Sequence, residues 1–190
     1  MPVLTVVAGP NGSGKSTLTQ ALDFEGRENL LDPDAIARRM NPSDPRSVAV
    51  AAGREILLRA QEYLGKRISF AIETTLASKR TLETMRHAKV LGFTLQLVYI
   101  CLDSSERSIL RVHQRVLQGG HDVGDEDVRR RYNRSLANVP EAIQIADRAI
   151  VYDNSEDGHR TMLEIRQGVT IWRATKPPQW IRDILNALPS

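Results

Sequence analysis

A chain of 190 residues, 41% hydrophobic and 26% charged, can bury a core of ordinary size, and its net charge of +3 is too small to mark a nucleic-acid surface. One cysteine, Cys101, excludes an internal disulfide and an all-cysteine zinc site. No apolar run reaches the ~18 residues of a membrane span, and no charged leader precedes the first strand, so a cytoplasmic protein without membrane or nucleic-acid partners is expected.

Val3 to Ala8 is a continuous apolar run, the mark of a buried parallel strand, and Gly9-Pro10-Asn11-Gly12-Ser13-Gly14-Lys15-Ser16 follows it. That octet matches GxxxxGK[ST] at every specified position, a coincidence expected in about one chain in 150 of this length even before its strand–helix context is counted. The chemistry uses each part. Glycines let successive N–H groups turn inward on phosphate oxygens, Lys15 reaches the β- and γ-phosphates, and the Ser16 hydroxyl binds magnesium. Gly9, Asn11, Gly12, Ser13, Gly14, Lys15, Ser16 and Thr17 are therefore the candidate binding residues for ATP with Mg2+.

Asn29 to Asp32 reads as a second strand, Asp34 to Met40 as a short helix, and Arg46 to Tyr63 as a longer one that Gly65 ends. Ile68 to Ile72 is the third strand. A helix over Ser78 to Leu91 stops at Gly92, and Thr94 to Leu102 is the fourth strand. Ser104 can cap a helix running to about Gln118. Asp125 to Ala146 is helical with a break expected near Pro140, and Arg148 to Tyr152 is the fifth strand. Strands alternating with helices at this spacing predict an α/β P-loop fold, one domain over residues 1–190 with a five-stranded, mainly parallel sheet. Met162 to Arg166 and Val169 to Arg173 flank Gln167-Gly168 as a C-terminal β-hairpin, and Trp180 to Leu188 forms a last helix.

Ligands of open α/β sheets gather at the carboxyl ends of the strands, which puts Asp32, Asp34 and Glu73 near the γ-phosphate. Asp34, farther past its strand, suits a general base, with a helix N-cap as the alternative. Glu73 suits the magnesium shell or the substrate. Arg111, Arg115, Arg129, Arg130, Arg131 and Arg134 lie on two helices joined by Gly119-Gly120-His121, a lid-like arrangement over about 111–134, and arginine forks suit phosphate oxygens. His121 is a candidate for touching substrate. No Asn-Lys-x-Asp element of a GTPase follows the fifth strand.

In this order, the phosphate loop, Asp32-Pro33-Asp34, Glu73-Thr74-Thr75 and the run from Arg115 through His121 to Arg130-Arg131-Tyr132 resemble the zeta-toxin family of P-loop kinases, over roughly Val3 to Ser155. The resemblance implies an ATP-dependent kinase acting on a hydroxyl of a small molecule, in the best-known members a UDP-N-acetyl sugar, and a toxin held by a small antitoxin protein. It implies Lys15, Asp34, Arg115 and one of Arg129 to Arg131 as catalytic; we assign Arg130 to catalysis and Arg131 to substrate. It further implies Glu73 and Thr75 on the acceptor, and Asn154 where the adenine passes. The segment Glu73-Thr74-Thr75-Leu76-Ala77-Ser78-Lys79-Arg80 departs from the Glu-Gly-Thr and Gly-Arg of the family's sugar-nucleotide kinases. Two other readings stay open: a nucleoside or nucleotide kinase, and a regulatory nucleotide-binding module acting through a protein partner.

Overall fold

The structure is a computed structural model that describes residues 1–118, 123–156 and 158–188. β1 (Val3–Ala8) is flanked by β3 (Phe70–Thr74) and β4 (Thr94–Cys101), both parallel to it; β2 (Leu30–Leu31) lies beyond β3, and β5 (Arg148–Asp153) beyond β4. The period of two divides β1 and β4 between two faces. Leu4, Val6 and Ala8 join Leu95, Leu97, Tyr99 and Cys101 in the main core, whereas Val7 and Ile100 meet Leu18 of α1 (Lys15–Ala21) on the other side.

The sheet has seven strands, not five. The hairpin of β6 (Arg160–Arg166) and β7 (Val169–Arg173) extends it antiparallel from β5, giving the order β2-β3-β1-β4-β5-β6-β7. The reason is the free edge that β5 would otherwise expose: Met162, Leu163 and Ile165 of β6 are buried against the core. β7 itself is exposed along its whole length and carries the register shift of its pairing with β6, so the new edge is short and irregular.

Helices α2 (Pro33–Met40), α3 (Ala49–Lys66), α4 (Lys79–Val90), α5 (Ser105–Leu117), α6 (Asp125–Ile145) and α7 (Gln179–Ala187) complete the fold. Gly65 does not end α3. The helix continues one residue further and closes on Arg67 at φ 56°, with Arg67 N–H donating to Leu64 O at 3.2 Å and Ile68 N–H to Tyr63 O at 3.0 Å. Nor does Pro140 break α6: Val139, Ala142 and Ile143 are buried on both sides of it, and their packing outweighs the ~3 kcal/mol a helical proline costs. Trp180 of α7 is buried against Tyr99, ring centres 6.3 Å apart, which docks the C-terminal helix on the core, while Trp172 stays half-exposed on β7. No helix among the described residues is long and apolar enough to cross a membrane.

Candidate active site

The loop between β1 and α1 turns through left-handed backbone at Gly12 (φ 74°) and Gly14 (φ 97°). Glycine is required there on two counts. L-residues avoid that region, and a Cβ on Gly12 would sit 2.8 Å from Ser108 O, while one on Gly14 would collide with Asn154 Nδ2. The loop thus presses against α5 on one side and the end of β5 on the other.

A cavity of about 360 Å³ opens over it, lined by Asn11, Gly12, Gly14, Lys15, Ser16 and Thr17 of the loop, and by Asp32, Pro33 and Asp34 from the β2–α2 junction. Glu73, Thr74 and Thr75 at the end of β3 and Arg111, Arg115 and Arg131 close the wall. Lys15 is buried, its Nζ donating to Pro10 O at 3.0 Å. Burial lowers its pKa, Glu73, Asp34 and Asp32 counteract that, and the nearby Arg115 reinforces it. Glu73 is 7% exposed; its Oε1 accepts from Ser16 Oγ at 2.8 Å and its Oε2 from Thr19 Oγ1 at 3.3 Å. Burial raises the Glu73 pKa against the opposing pull of Lys15 and the Ser16 hydroxyl.

The two aspartates after β2 divide the work. Asp32 is the N-cap of α2, its Oδ1 accepting from Asp34 N–H at 2.8 Å, with Pro33 at the first helical position. Both aspartates line the cavity, but Asp34 carries no capping bond.

The arginines divide too. Arg111 and Arg115, one turn apart on α5, and Arg131 on α6 line the cavity. Arg130 does not; its Nη2 pairs with Asp127 Oδ1 at 2.6 Å on the exposed face of α6. Arg129 pairs with Glu106, and Arg134 lines a separate cleft with Ser78 and Lys79. The lid-like pair α5–α6 has its own small core of Ile109, Val112, Val123 and Val128. His121, with Gly119 and Gly120, lies outside the described residues. Gly9, Ser13 and Asn154 do not line the cavity: Gly9 N–H donates to Thr74 O at 3.2 Å, Ser13 is fully buried, and Asn154 stands behind the loop.

Three contributors escaped the sequence reading. Arg111 was grouped with the lid but not assigned to the site. Thr19 holds Glu73, and its only sequence signal is a position one turn past Ser16. Asn138 donates to Leu76 O at 2.8 Å and pins the stretch after Thr75, where Leu76 sits at φ 57°, a strained conformation for a buried leucine. Nothing in the sequence near Asn138 marks that contact.

The fold and this cavity define a kinase-like P-loop protein, an α/β domain with a mostly parallel sheet flanked by helices. The chain belongs to the AAA domain family, whose model matches residues 4–140. An uncharacterised protein of Haemophilus influenzae is 35% identical over 124 residues, 65% of this chain and 88% of the relative. Among solved structures, a candidate kinase of Chloroflexus aurantiacus is 25% identical over 67% of this chain and 75% of its own, with a TM-score of 0.51. The PezAT toxin–antitoxin system of Streptococcus pneumoniae matches at 16% identity over 99% of this chain and 78% of its own, TM-score 0.60. AvrRxo1-ORF1:-ORF2 with ATP matches at 14% over 98% of this chain and 63% of its own, TM-score 0.63. At those identities the last two share the fold.

Proposed function

We propose that the chain is an ATP-dependent kinase that transfers the γ-phosphoryl group of ATP to a hydroxyl of a small acceptor. The observation that carries this reading is the place of Asp34: Asp32 takes the helix cap, and Asp34, free of it, lines the same cavity as Lys15 and the phosphate loop, close enough for its charge to act on Lys15. Binding alone needs the loop and its cations; a carboxylate held across from them supplies a base for an attacking hydroxyl.

The residues fit a magnesium nucleotide. The glycine turns form a backbone cradle that a Cβ would fill, and Ser16 and Glu73 offer hard oxygen ligands 2.8 Å apart. Ser16 and Glu73 would hold Mg2+, which would supply positive charge to offset that of the phosphates. Lys15, Arg111, Arg115 and Arg131 hold the transferring group from several sides. Asp34 accepts the proton of the acceptor hydroxyl as its oxygen bonds to phosphorus and ADP leaves. Thr75 and Glu73 flank the acceptor, and Arg131 rather than Arg130 takes the lid role.

The resemblance to zeta toxins, with the fold shared by PezAT, supports a small hydroxylated metabolite such as a UDP-N-acetyl sugar as acceptor and a small antitoxin as partner. The test is incubation of the protein, Mg2+ and γ-labelled ATP with a metabolite extract, followed by identification of whatever gains label. Transfer that Asp34→Asn abolishes supports the proposal. Tight ATP binding with no labelled acceptor would turn the reading to a nucleotide-binding module.

A further inference from the structure

The segment after β5 reaches the phosphate loop through Asn154, which does not line the cavity. Asn154 is 8% exposed, and its Nδ2 donates to Ser13 O at 2.9 Å. The carbonyl partner can only accept, which fixes the orientation of the amide. In a trans peptide the C=O and the next N–H point in opposite directions. A bond that holds Ser13 O back toward Asn154 therefore aims the Gly14 N–H forward, and Gly14 lines the cavity. Gly14 also opens α1 with no side-chain cap, so Asn154 orients a donor that nothing else in the helix start holds.

Asn154 is itself clamped from both flanks. Its own N–H donates to Cys101 O at 2.9 Å. On one side Asp153, 1% exposed, accepts from Arg160 Nη2 at 2.7 Å, and Arg160 is the first residue of β6. On the other side Ser155 Oγ accepts from Asp103 N–H at 2.8 Å, and Ser155 O accepts from Arg107 Nη1 of α5 at 3.0 Å. The chain that reaches Ser13 is thus held by the hairpin on one side and by α5 on the other. Arg160 lies beyond residues 4–140, the part matched by the family model.

We propose that Asn154 is a positioning residue for phosphate binding: it orients the Ser13–Gly14 peptide, and the Arg160–Asp153 pair places Asn154, so the β6–β7 hairpin is part of the phosphate-binding apparatus. This replaces contact with the adenine as the role of Asn154, and it rests on the reading of the loop as a phosphate site. Arg160 does not line the cavity; besides Asp153 it pairs with Glu156, its Nη1 3.0 Å from Glu156 Oε2, so it holds the segment around Asn154 at two points.

Two ligands separate the roles. ATP with Mg2+ presents phosphates and a base; inorganic tripolyphosphate with Mg2+ presents phosphates alone. Removal of the donor in Asn154→Ala is expected to weaken both by about tenfold, one neutral hydrogen bond's worth, leaving the ratio of the two affinities at its wild-type value. Asn154→Asp, which sets an acceptor against the Ser13 carbonyl, should weaken both at least as much. Arg160→Ala should weaken both by a smaller factor. Titrations are done on protein whose unliganded melting shows it folded; where Asn154→Asp does not fold, Asn154→Ser, which keeps a shorter donor, replaces it and should lie between wild type and Asn154→Ala. Loss of ATP affinity with tripolyphosphate affinity intact would overturn the proposal in favour of a base contact. Variants that bind both ligands like wild type would overturn it outright. A wild-type protein that binds neither ligand removes the phosphate site itself, and the proposal with it.

Discussion

Replacing Glu73 with glutamine keeps the shape of the side chain and removes its charge. The carboxylate accepts from Ser16 Oγ at 2.8 Å and from Thr19 Oγ1 at 3.3 Å, and it is 7% exposed. A hydrogen bond to a charged acceptor is worth about 1.5–3 kcal/mol and a neutral one about 0.5–1.5, so the exchange loses about 1–2 kcal/mol in holding the Ser16 hydroxyl. That is about a 5–30-fold higher Mg2+ requirement for nucleotide binding. The assay is a Mg2+ titration at fixed ATP, read by nucleotide binding and by turnover. Misfolding is excluded by the unliganded melt. Burial raises the Glu73 pKa above its ordinary value of 4.5. A group whose folded pKa is raised gives stability that is fully present below the unfolded value and lost as pH rises through the folded one. Above that folded value the charge of Glu73 is therefore a cost to the unliganded fold, and glutamine removes it while leaving Lys15 with less compensation. The unliganded variant should melt close to wild type while its Mg2+ requirement rises. An unchanged Mg2+ requirement in a folded variant would refute the placement of Glu73 in the metal shell.

Asp34→Asn should lower phosphoryl transfer by about 10²-fold or more while ATP affinity stays near wild type, since the base acts on the acceptor; full transfer would remove Asp34 from the chemistry. Arg131→Ala should lower transfer by more than tenfold, whereas Arg130→Ala, which breaks only an exposed pair worth about 0–1 kcal/mol, should behave as wild type in the same steady-state assay. Trp180→Ala empties a buried site against Tyr99 and should destabilise the chain by about 3–5 kcal/mol, a fall of about 10 °C in melting temperature. Burial pushes the Cys101 thiol up to about 12, so a thiol reagent at pH 8 should label Cys101 only after denaturation.

The features legible in the sequence were those with a local cause. The phosphate loop is a run whose glycines and Lys15 declare their geometry, and β1 declares itself as an unbroken apolar stretch. The order of β3, β4 and β5 followed from alternation with helices. What could not be read depended on distant partners. β3 lies two residues later than its apolar run suggests, because Phe70 rather than Ile68 faces the core. The hairpin reads the same from sequence whether it stands apart or joins the sheet; the free edge of β5, visible only in three dimensions, decides. Arg130 and Arg131 are neighbours of equal chemistry, and only the placement of α6 in the fold brings Arg131 to the cavity and leaves Arg130 exposed beside Asp127 of its own helix. The sequence favours Asp34 as base with a helix cap as its alternative, and only the start of α2 shows that the cap falls to Asp32 instead.

The same distant partners explain why the site is poised for an anion. Lys15 is buried with its Nζ on a carbonyl, and burial lowers its pKa, so the unliganded fold holds its charged form unfavourably. Glu73, Asp34 and Asp32 offset that cation, and Arg115 works against them. Stability tied to Lys15 is present above its unfolded value of 10.5 and is lost as pH falls through the lowered folded value, so below that value the fold gains from any anion that enters. A phosphate beside Lys15 and Arg115 relieves both at once, and it does so next to Asp34, whose freedom from the helix cap is set by Asp32 two residues earlier. On the proposed reading, binding and catalysis draw on the same arrangement: the loop holds a buried cation, and the neighbouring turn leaves Asp34 out of the helix cap.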